Sequence, residues 1–438
     1  MSTSQSCSID GTGPCKCTRK APLFFGIGIV GLLVAYYGAF FVGVPKHDFR
    51  PLYSLLMGSF FWLTILIGCL MMIMITRVFD AGWAPIIRRQ WENLVVSIPV
   101  VLLLSVIPMA FYPAARKIVW EWTNPEEILP SGHAVAHDSI YNAKAWFLNL
   151  PFFQGRMIAY VVIFALLVFF LRKWSFAQDK DASAVHTQRL HNLSAVGIVI
   201  GALTLTFLAF DSIMALSYHW FSTMFGVWFF AAGIRACFAF SVVLCFLLGS
   251  RGWLKGIYNQ AHRHILGCLL LAFTVFWAYI SFSQYFLIYN ANIPEETFWY
   301  NMREFSTVLI DGQWVNVKNQ WWWVSLGLVF GHFFFPFLYL LFYRSKIVPG
   351  RILFISLWTL AFTLLDLYFN IVPRQIVDTA RPEGFRVNDF IDMSMLLDVA
   401  AIVGFGGIVF GIFLRSSAKH EPIPIHDPRI NESINYHE

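Results

Sequence analysis

The feature that most constrains this fold is a run of about twenty apolar residues, long enough to cross a bilayer as a helix, which occurs ten times. The runs lie at approximately 22–44, 51–76, 91–111, 152–171, 193–218, 224–249, 264–289, 320–343, 351–372 and 390–414. In hydrocarbon a chain must satisfy its own backbone N–H and C=O groups, so segments of this kind are helical. The chain reads as an all-α polytopic membrane protein with about ten transmembrane helices. Its charged content of 13%, against about a quarter in soluble domains, agrees. Residues 1–21 and 415–438 read as polar tails on a membrane domain over 22–414. A full-length span follows the polar start, so no cleavable signal peptide is expected.

Lys and Arg counts set the expected orientation. Nineteen fall on the side of both termini, eleven on the other, and Arg235 lies inside a span. Short basic segments stay in the cytoplasm, which puts both termini there. The basic residues are scattered between apolar runs, and no nucleic-acid partner is implied. The two long loops, 112–150 and 290–319, then face outward as the expected docking surface for external partners.

Several chemistries are excluded. Cys7, Cys15 and Cys17 lie in the N-terminal tail, and Cys69, Cys237, Cys245 and Cys268 lie in spans. This is neither an iron–sulfur pattern nor a metal framework, and CxxCH for covalent haem is absent. Of twelve histidines, only His332 lies well inside a span, with His219 and His264 at span ends. Paired axial ligands for a transmembrane b-type haem are therefore missing. No nucleotide-binding glycine loop and no convincing internal repeat occur.

What remains is a short set of polar residues within the spans, each costly in lipid and a functional candidate for that reason. At 1.5 Å per residue, Asp211 lies about 12 Å from the outer end of its span, Arg235 about 17 Å, Asp366 about 9 Å and Asp398 about 12 Å. His332 lies near the midplane, and Asp392 at the outer mouth. Gln284 is the main buried amide. The polar residues thus gather in the outer half, and the inner half is nearly bare. Arg235 reads as the one permanently charged residue in the spans, with Asp211 or Asp398 as its expected partner. His332 precedes Pro336, which frees a carbonyl and bends the helix, and its imidazole suits proton relay. His219 reads as interfacial, in a turn capped by Ser222 or Thr223. The candidate relay is Asp211, His332, Asp366 and Asp398, with His219, Arg235 and Gln284 as candidate lining of a polar cavity. The alternative for the charged layer is a static helix clamp.

The stretches "HWFSTMFGVWFFAAG" (219–233), "GHFFFPF" (331–337) and "PIPIHDPRINES" (422–433) resemble those of the polysulfide-reductase-type (NrfD-like) membrane subunits. More specifically, they are similar to the second such subunit of bacterial alternative complex III, over essentially the whole chain. Met224-Phe225-Gly226-Val227 matches the second type, whereas the sister subunit continues there with a Pro-Pro pair. Ser217-Tyr218 stands where many relatives carry an acidic residue and a proline, so no acid is assigned at the turn.

The resemblance implies two four-helix bundles, spans two to five and six to nine, with flanking helices, in a bacterial inner membrane. It implies a non-haem subunit of a quinol:cytochrome c, or high-potential acceptor, oxidoreductase, contributing proton handling and anchoring external redox subunits. Quinone or menaquinone is the implied ligand. The implied partners are the sister membrane subunit, an external iron–sulfur/molybdopterin-type subunit, multihaem cytochromes c and a terminal oxidase, with haem and iron–sulfur centres in those partners. Two other readings stay open: a structural anchor with quinol oxidised in the sister subunit, and a secondary transporter.

Overall fold

The computed structural model describes residues 20–127, 134–310, 312–376 and 386–437. Cys7, Cys15 and Cys17 of the N-terminal tail, and Arg381 of the last long loop, lie outside them. Ten helices long and apolar enough to span a membrane are present: Ala21–Lys46, Arg50–Val78, Pro85–Phe111, Leu150–Asp181, Ala184–Leu216, Phe225–Ser250, Gln260–Ala291, Gln320–Leu341, Pro349–Ile371 and Met395–Ser417. They are called spans one to ten. The protein is an all-α polytopic membrane protein. Both described chain ends lie on one face, here the terminus face. The long loops lie on the other, the loop face.

Local chemistry sets the boundaries. Asn149 accepts from the Phe152 N–H to start span four, Ser183 from Val185 to start span five, and Asn319 from Trp321 and Trp322 to start span eight. Each satisfies a first-turn N–H that has no intrahelical partner. Span seven starts with a reciprocal Asn259–His262 capping box. Ala182, with φ of 53°, breaks the chain between spans four and five. Span three begins at Pro85, earlier than predicted, and span ten at Met395, later than predicted.

Spans two and six form the centre and are the most enclosed of the ten. They meet at Gly68 and Gly233, where a Cβ on Gly68 would collide with the Gly233 carbonyl oxygen. Without a hydrophobic drive between helices in lipid, such small-residue contacts are what allow close packing. Span two is grouped with spans three, four and five, and span six with seven, eight and nine. Spans one and ten pair with each other through Gly28, Gly31, Gly404 and Gly407. Span ten also lies on span two, where the Trp62 indole N–H donates to the Ile402 carbonyl at 2.8 Å.

On the loop face, an antiparallel hairpin of Phe305–Ile310 and Gln313–Lys318 precedes span eight. On the terminus face, the segment after span ten is a strap packed onto the protein. Gln90 donates to the Pro422 carbonyl at 2.7 Å, Ser433 to that of Trp83 at 3.1 Å, and Asn259 to that of Tyr436 at 3.0 Å.

The Gly68 contact yields a prediction. Gly68→Ala forces spans two and six apart and lowers stability by about 1–3 kcal/mol, as overpacking does. Gly327, which has nothing within 4 Å of a built Cβ, is the control. Gly327→Ala leaves stability equal or slightly higher. Thermal melting of the two purified variants in detergent checks the contrast.

Candidate functional site

Span eight is α-helical at both ends and π-helical over Leu328–Phe334. Insertions of this kind are rare and concentrate at functional positions. His332 lies in this stretch. Pro336, four residues on, has no N–H to give to the His332 carbonyl. The Arg235 guanidinium of span six donates to that oxygen at 2.5 Å. Arg235 also lies over the Trp277 ring of span seven, 5.4 Å from its centroid.

Asp366 of span nine completes the cluster. Its Oδ2 accepts the indole N–H groups of Trp277 at 2.9 Å and Trp228 at 3.1 Å, and its Oδ1 accepts from the Asn370 amide at 3.2 Å. The His332 ring stands edge-on to Trp277, and its Nε2 is 4.0 Å from Asp366 Oδ2, beyond hydrogen-bond reach. Both ring nitrogens of His332, and Nε and one terminal nitrogen of Arg235, have no hydrogen-bond partner. Arg235 and His332 are fully buried and Asp366 is 3% exposed. Polar groups left unmatched at such depth are expensive.

The other two candidate carboxylates are paired with arginines. Asp211 accepts from Arg156 of span four through two parallel bonds, at 2.7 and 2.8 Å, and from the Tyr160 hydroxyl at 2.5 Å. Arg156 is flanked by the Phe147 and Phe152 rings. Asp398 accepts from Arg50 at 3.0 and 2.6 Å, and Arg50 also donates to Ser54 and Tyr368. These bidentate pairs are strong and geometrically specific, and they tie span four to five and span two to ten.

Three expectations change. Neither Asp211 nor Asp398 partners Arg235; the carboxylate whose charge reaches it is Asp366. Arg235 is not the one guanidinium within the spans, because Arg156 is buried in span four and Arg50 in span two. Asp398 lies in the first turn of span ten, near the loop face, because the helix starts at Met395.

The half of the membrane domain toward the terminus face is not bare either. Glu92 of span three accepts from Arg77 at 2.7 Å and from Ser175 at 2.8 Å, and Arg89 pairs with Asp179 at 2.6 Å. Arg172 donates to the Glu92 backbone carbonyl, and Arg88 to Asp427 of the strap. By sequence Arg77, Arg88 and Arg89 count as residues of a basic loop, yet span three starts at Pro85 and takes the two latter side chains inside.

His219 stays outside the cluster. Its Nε2 lies 2.7 Å from Asp138 Oδ2, and Asp138 caps the short helix Ser139–Lys144. Gln284 belongs to the second bundle, accepting from Ser222 at 3.0 Å and donating to the Tyr300 hydroxyl at 3.4 Å. Asp392 is exposed.

Two polar stripes run through that bundle. On span nine, Ser356, Thr359, Thr363, Asp366 and Asn370 are buried at spacings of three and four residues, one helical face about 21 Å long. On span seven, Thr274, Trp277, Ser281 and Gln284 repeat the pattern. Thr274, Thr359 and Thr363 donate to carbonyls of their own helices, and the Ser281 and Ser356 hydroxyls have no partner. Trp228, Trp277, Asn370 and Ser356 escape a search for charges, although their helical spacing is visible in the sequence. So is a short echo: Thr204–Asp211 (TLTFLAFD) and Thr359–Asp366 (TLAFTLLD) agree at four of eight positions, and each ends the last span of a bundle.

Two described cavities, of about 270 and 230 Å³, lie on the terminus and loop faces. Neither touches His219, Arg235, Gln284, His332 or Asp366. His332 and Asp366 lie against Trp228, Trp277 and Phe362. Among the described residues no group of three or more His, Cys, Asp or Glu side chains is arranged to hold a metal ion.

Two outcomes follow. Asp211→Asn strips the buried Arg156 of its anion and destabilises the protein by about 3 kcal/mol, read as a lower melting temperature. At the loop face, burial raises the Asp138 carboxyl, but the His219 bond and the Tyr141 and Ile140 N–H groups outweigh it and hold the pKa below the usual value. A depressed carboxylate contributes stability above its unfolded pKa of about 4 and loses it as pH falls through the folded value. Protection of the Ser139–Lys144 amides against hydrogen exchange therefore holds from neutral pH down to about 5 and is lost only in stronger acid. Asp138→Ala, which removes the cap at a cost of about 1 kcal/mol, lowers that protection at neutral pH.

Compared with known proteins, the chain matches no protein-family model and no curated sequence.

Proposed function

We propose that this multi-pass membrane protein is a non-haem subunit of a quinol-oxidising electron-transfer complex, and that its second bundle handles the protons. The observation that carries the proton role is the contrast among the buried carboxylates. Asp211 and Asp398 are locked by bidentate arginines, whereas Asp366 faces an unpartnered imidazole across 4.0 Å. The quinol-linked setting rests on the resemblance of the 219–233, 331–337 and 422–433 stretches to the second NrfD-like subunit of alternative complex III.

In this reading Asp366 takes up and releases a proton while Trp228 and Trp277 keep its Oδ2 in place. Arg235 lends the cluster a positive charge, which offsets the negative charge left behind when the proton departs. A small ring movement brings His332 into hydrogen-bond reach of Asp366. Tyr300, Gln284 and Ser222 lead toward the loop face, and Thr363, Thr359 and Ser356 toward the terminus face. No step is assigned to a quinone on this chain, and the sister subunit is the proposed seat of quinol oxidation. With termini in the cytoplasm of a bacterial inner membrane, the loops and hairpin face the external iron–sulfur and multihaem cytochrome partners.

The locked pairs favour one second reading, a structural anchor. The test is Asp366→Asn in the purified complex, with subunit content, quinol-dependent cytochrome reduction and external pH change measured together. The expected result is an intact complex whose proton release falls at least about tenfold, a conservative figure for loss of a proton-transfer group. Intact assembly with unchanged turnover and proton release would leave only the anchor.

A further inference from the structure

We propose that the terminus face of the second bundle docks anionic phospholipid, with the headgroup phosphate held by Arg263, Arg344 and Lys346. Six cations lie on this face: Arg251 and Lys255 between spans six and seven, Arg263 at the start of span seven, and Arg344, Lys346 and Arg351 between spans eight and nine. No Asp or Glu occurs over 212–294 or 312–365, so the segments that carry these cations bring no counter-charge. The described acids of the strap are engaged over the first bundle. Glu421 follows His420, which stacks on Phe176 of span four, Asp427 bonds Arg88, and Glu432 bonds Arg429. Glu438 lies outside the described residues, and one acid would not balance six bases. Among the described residues none of the six cations forms an ion pair. The first bundle differs, since its terminus-face arginines pair with Glu92, Asp179 and Asp427.

The cations are held in place and close together. The short helix Tyr343–Ile347 lies against span seven, with the Tyr343 ring 4.9 Å from that of His264. Arg263 donates through Nε to the Ile347 carbonyl at 2.8 Å, which leaves its terminal nitrogens for another partner. The Lys346 stem crosses span seven at Gly267, where a built Cβ would meet the lysine Cγ at 2.7 Å. Arg263 is four residues before Gly267, so both cations occupy one helical face. Like charges at that spacing repel, and an anion between them removes the repulsion. Arg344 and Arg351 are exposed beside them. Guanidinium groups match phosphate oxygens through parallel N–H bonds, and an ammonium adds a point charge.

The surroundings select a lipid as the source. Span eight exposes Phe330, Phe334, Leu338, Leu341 and Phe342 at spacings of one to four residues, and this apolar track ends two residues before Arg344. Acyl chains lying along it bring a headgroup to the cations, as basic clusters at the cytoplasmic ends of spans do. A soluble acidic partner has no use for such a track. The inference does not rest on the proton role of Asp366, and its variants leave that cluster untouched.

The test uses the full-length protein, delipidated in detergent, with phosphatidylglycerol, phosphatidylcholine, inorganic phosphate or polyglutamate added back. Thermal melting and native mass spectrometry are read for wild type, Arg344→Gln, Arg344→Gln/Lys346→Gln and, on the loop face, the control Lys117→Gln. Phosphatidylglycerol is expected to raise the melting temperature and persist as an adduct where phosphatidylcholine does not. Its affinity should fall about fivefold for each cation removed and stay unchanged in Lys117→Gln. In the wild type, which needs no variant to fold, added salt should weaken phosphatidylglycerol binding. Equal effects of the two lipids, or binding indifferent to salt and to the Arg344 and Lys346 variants, would overturn the site and leave the cations as topology signals. Stabilisation by phosphate or polyglutamate that equals that by phosphatidylglycerol, with the same variant sensitivity, would overturn the lipid source in favour of a soluble anion or an acidic protein.

Discussion

The contact between Gly68 and Gly233 fixes more of this molecule than any other. It lets the backbones of spans two and six touch and joins the two bundles at their first helices. It also aims the chemistry. Arg235 follows Gly233 by two residues, which is about 200° around a helix. A helix with Gly233 against span two must therefore turn Arg235 away from it, into the interior of the second bundle. The guanidinium then needs partners where no water competes, and Pro336 has left the His332 carbonyl open to it.

The buried charges divide by how completely they are satisfied. Arg156–Asp211 and Arg50–Asp398 are planar forks on planar carboxylates, closed by tyrosine hydroxyls and aromatic faces. The terminus-face arginines of the first bundle are fixed on Glu92, Asp179 and Asp427. These pairs join helices that lipid alone would not hold in register. In the second bundle, Asp366 has indole and amide donors, but neither His332 nor Arg235 is saturated. A group whose alternatives are close in energy can change state, whereas a bidentate pair cannot do so without losing several kcal/mol.

Much of this was legible in the sequence and some was not, for separable reasons. The ten spans follow from length and hydropathy, but the cap expected of Ser222 or Thr223 does not form, because span six starts at Phe225 behind Met224 and the Ser222 hydroxyl donates to Gln284 instead. His332 with Pro336, and Asp366, were visible as polar residues in apolar runs. The partners of Arg235 were not, since depth along a span says nothing about which helix it faces. Arg156 passed for a loop residue because it lies close to the end of span four, and Arg88 and Arg89 because a basic stretch normally marks a membrane edge. The hydroxyl stripe of span nine was present as spacing, but Ser and Thr carry no charge to draw attention to it.

The sequence by itself determined that this chain is a membrane-embedded helical protein, where most of its helices begin and end, and that a few ionisable residues lie within it. Those are local matters, settled by the cost of exposing backbone and charge to hydrocarbon. Only the tertiary structure decided which of those residues are locked and which are free, because a hydrogen bond between spans depends on the rotation and register of two helices far apart in the chain. Asp211 and Asp366 end similar stretches of sequence. One faces an arginine fork from span four, and the other two tryptophans and an unpartnered histidine.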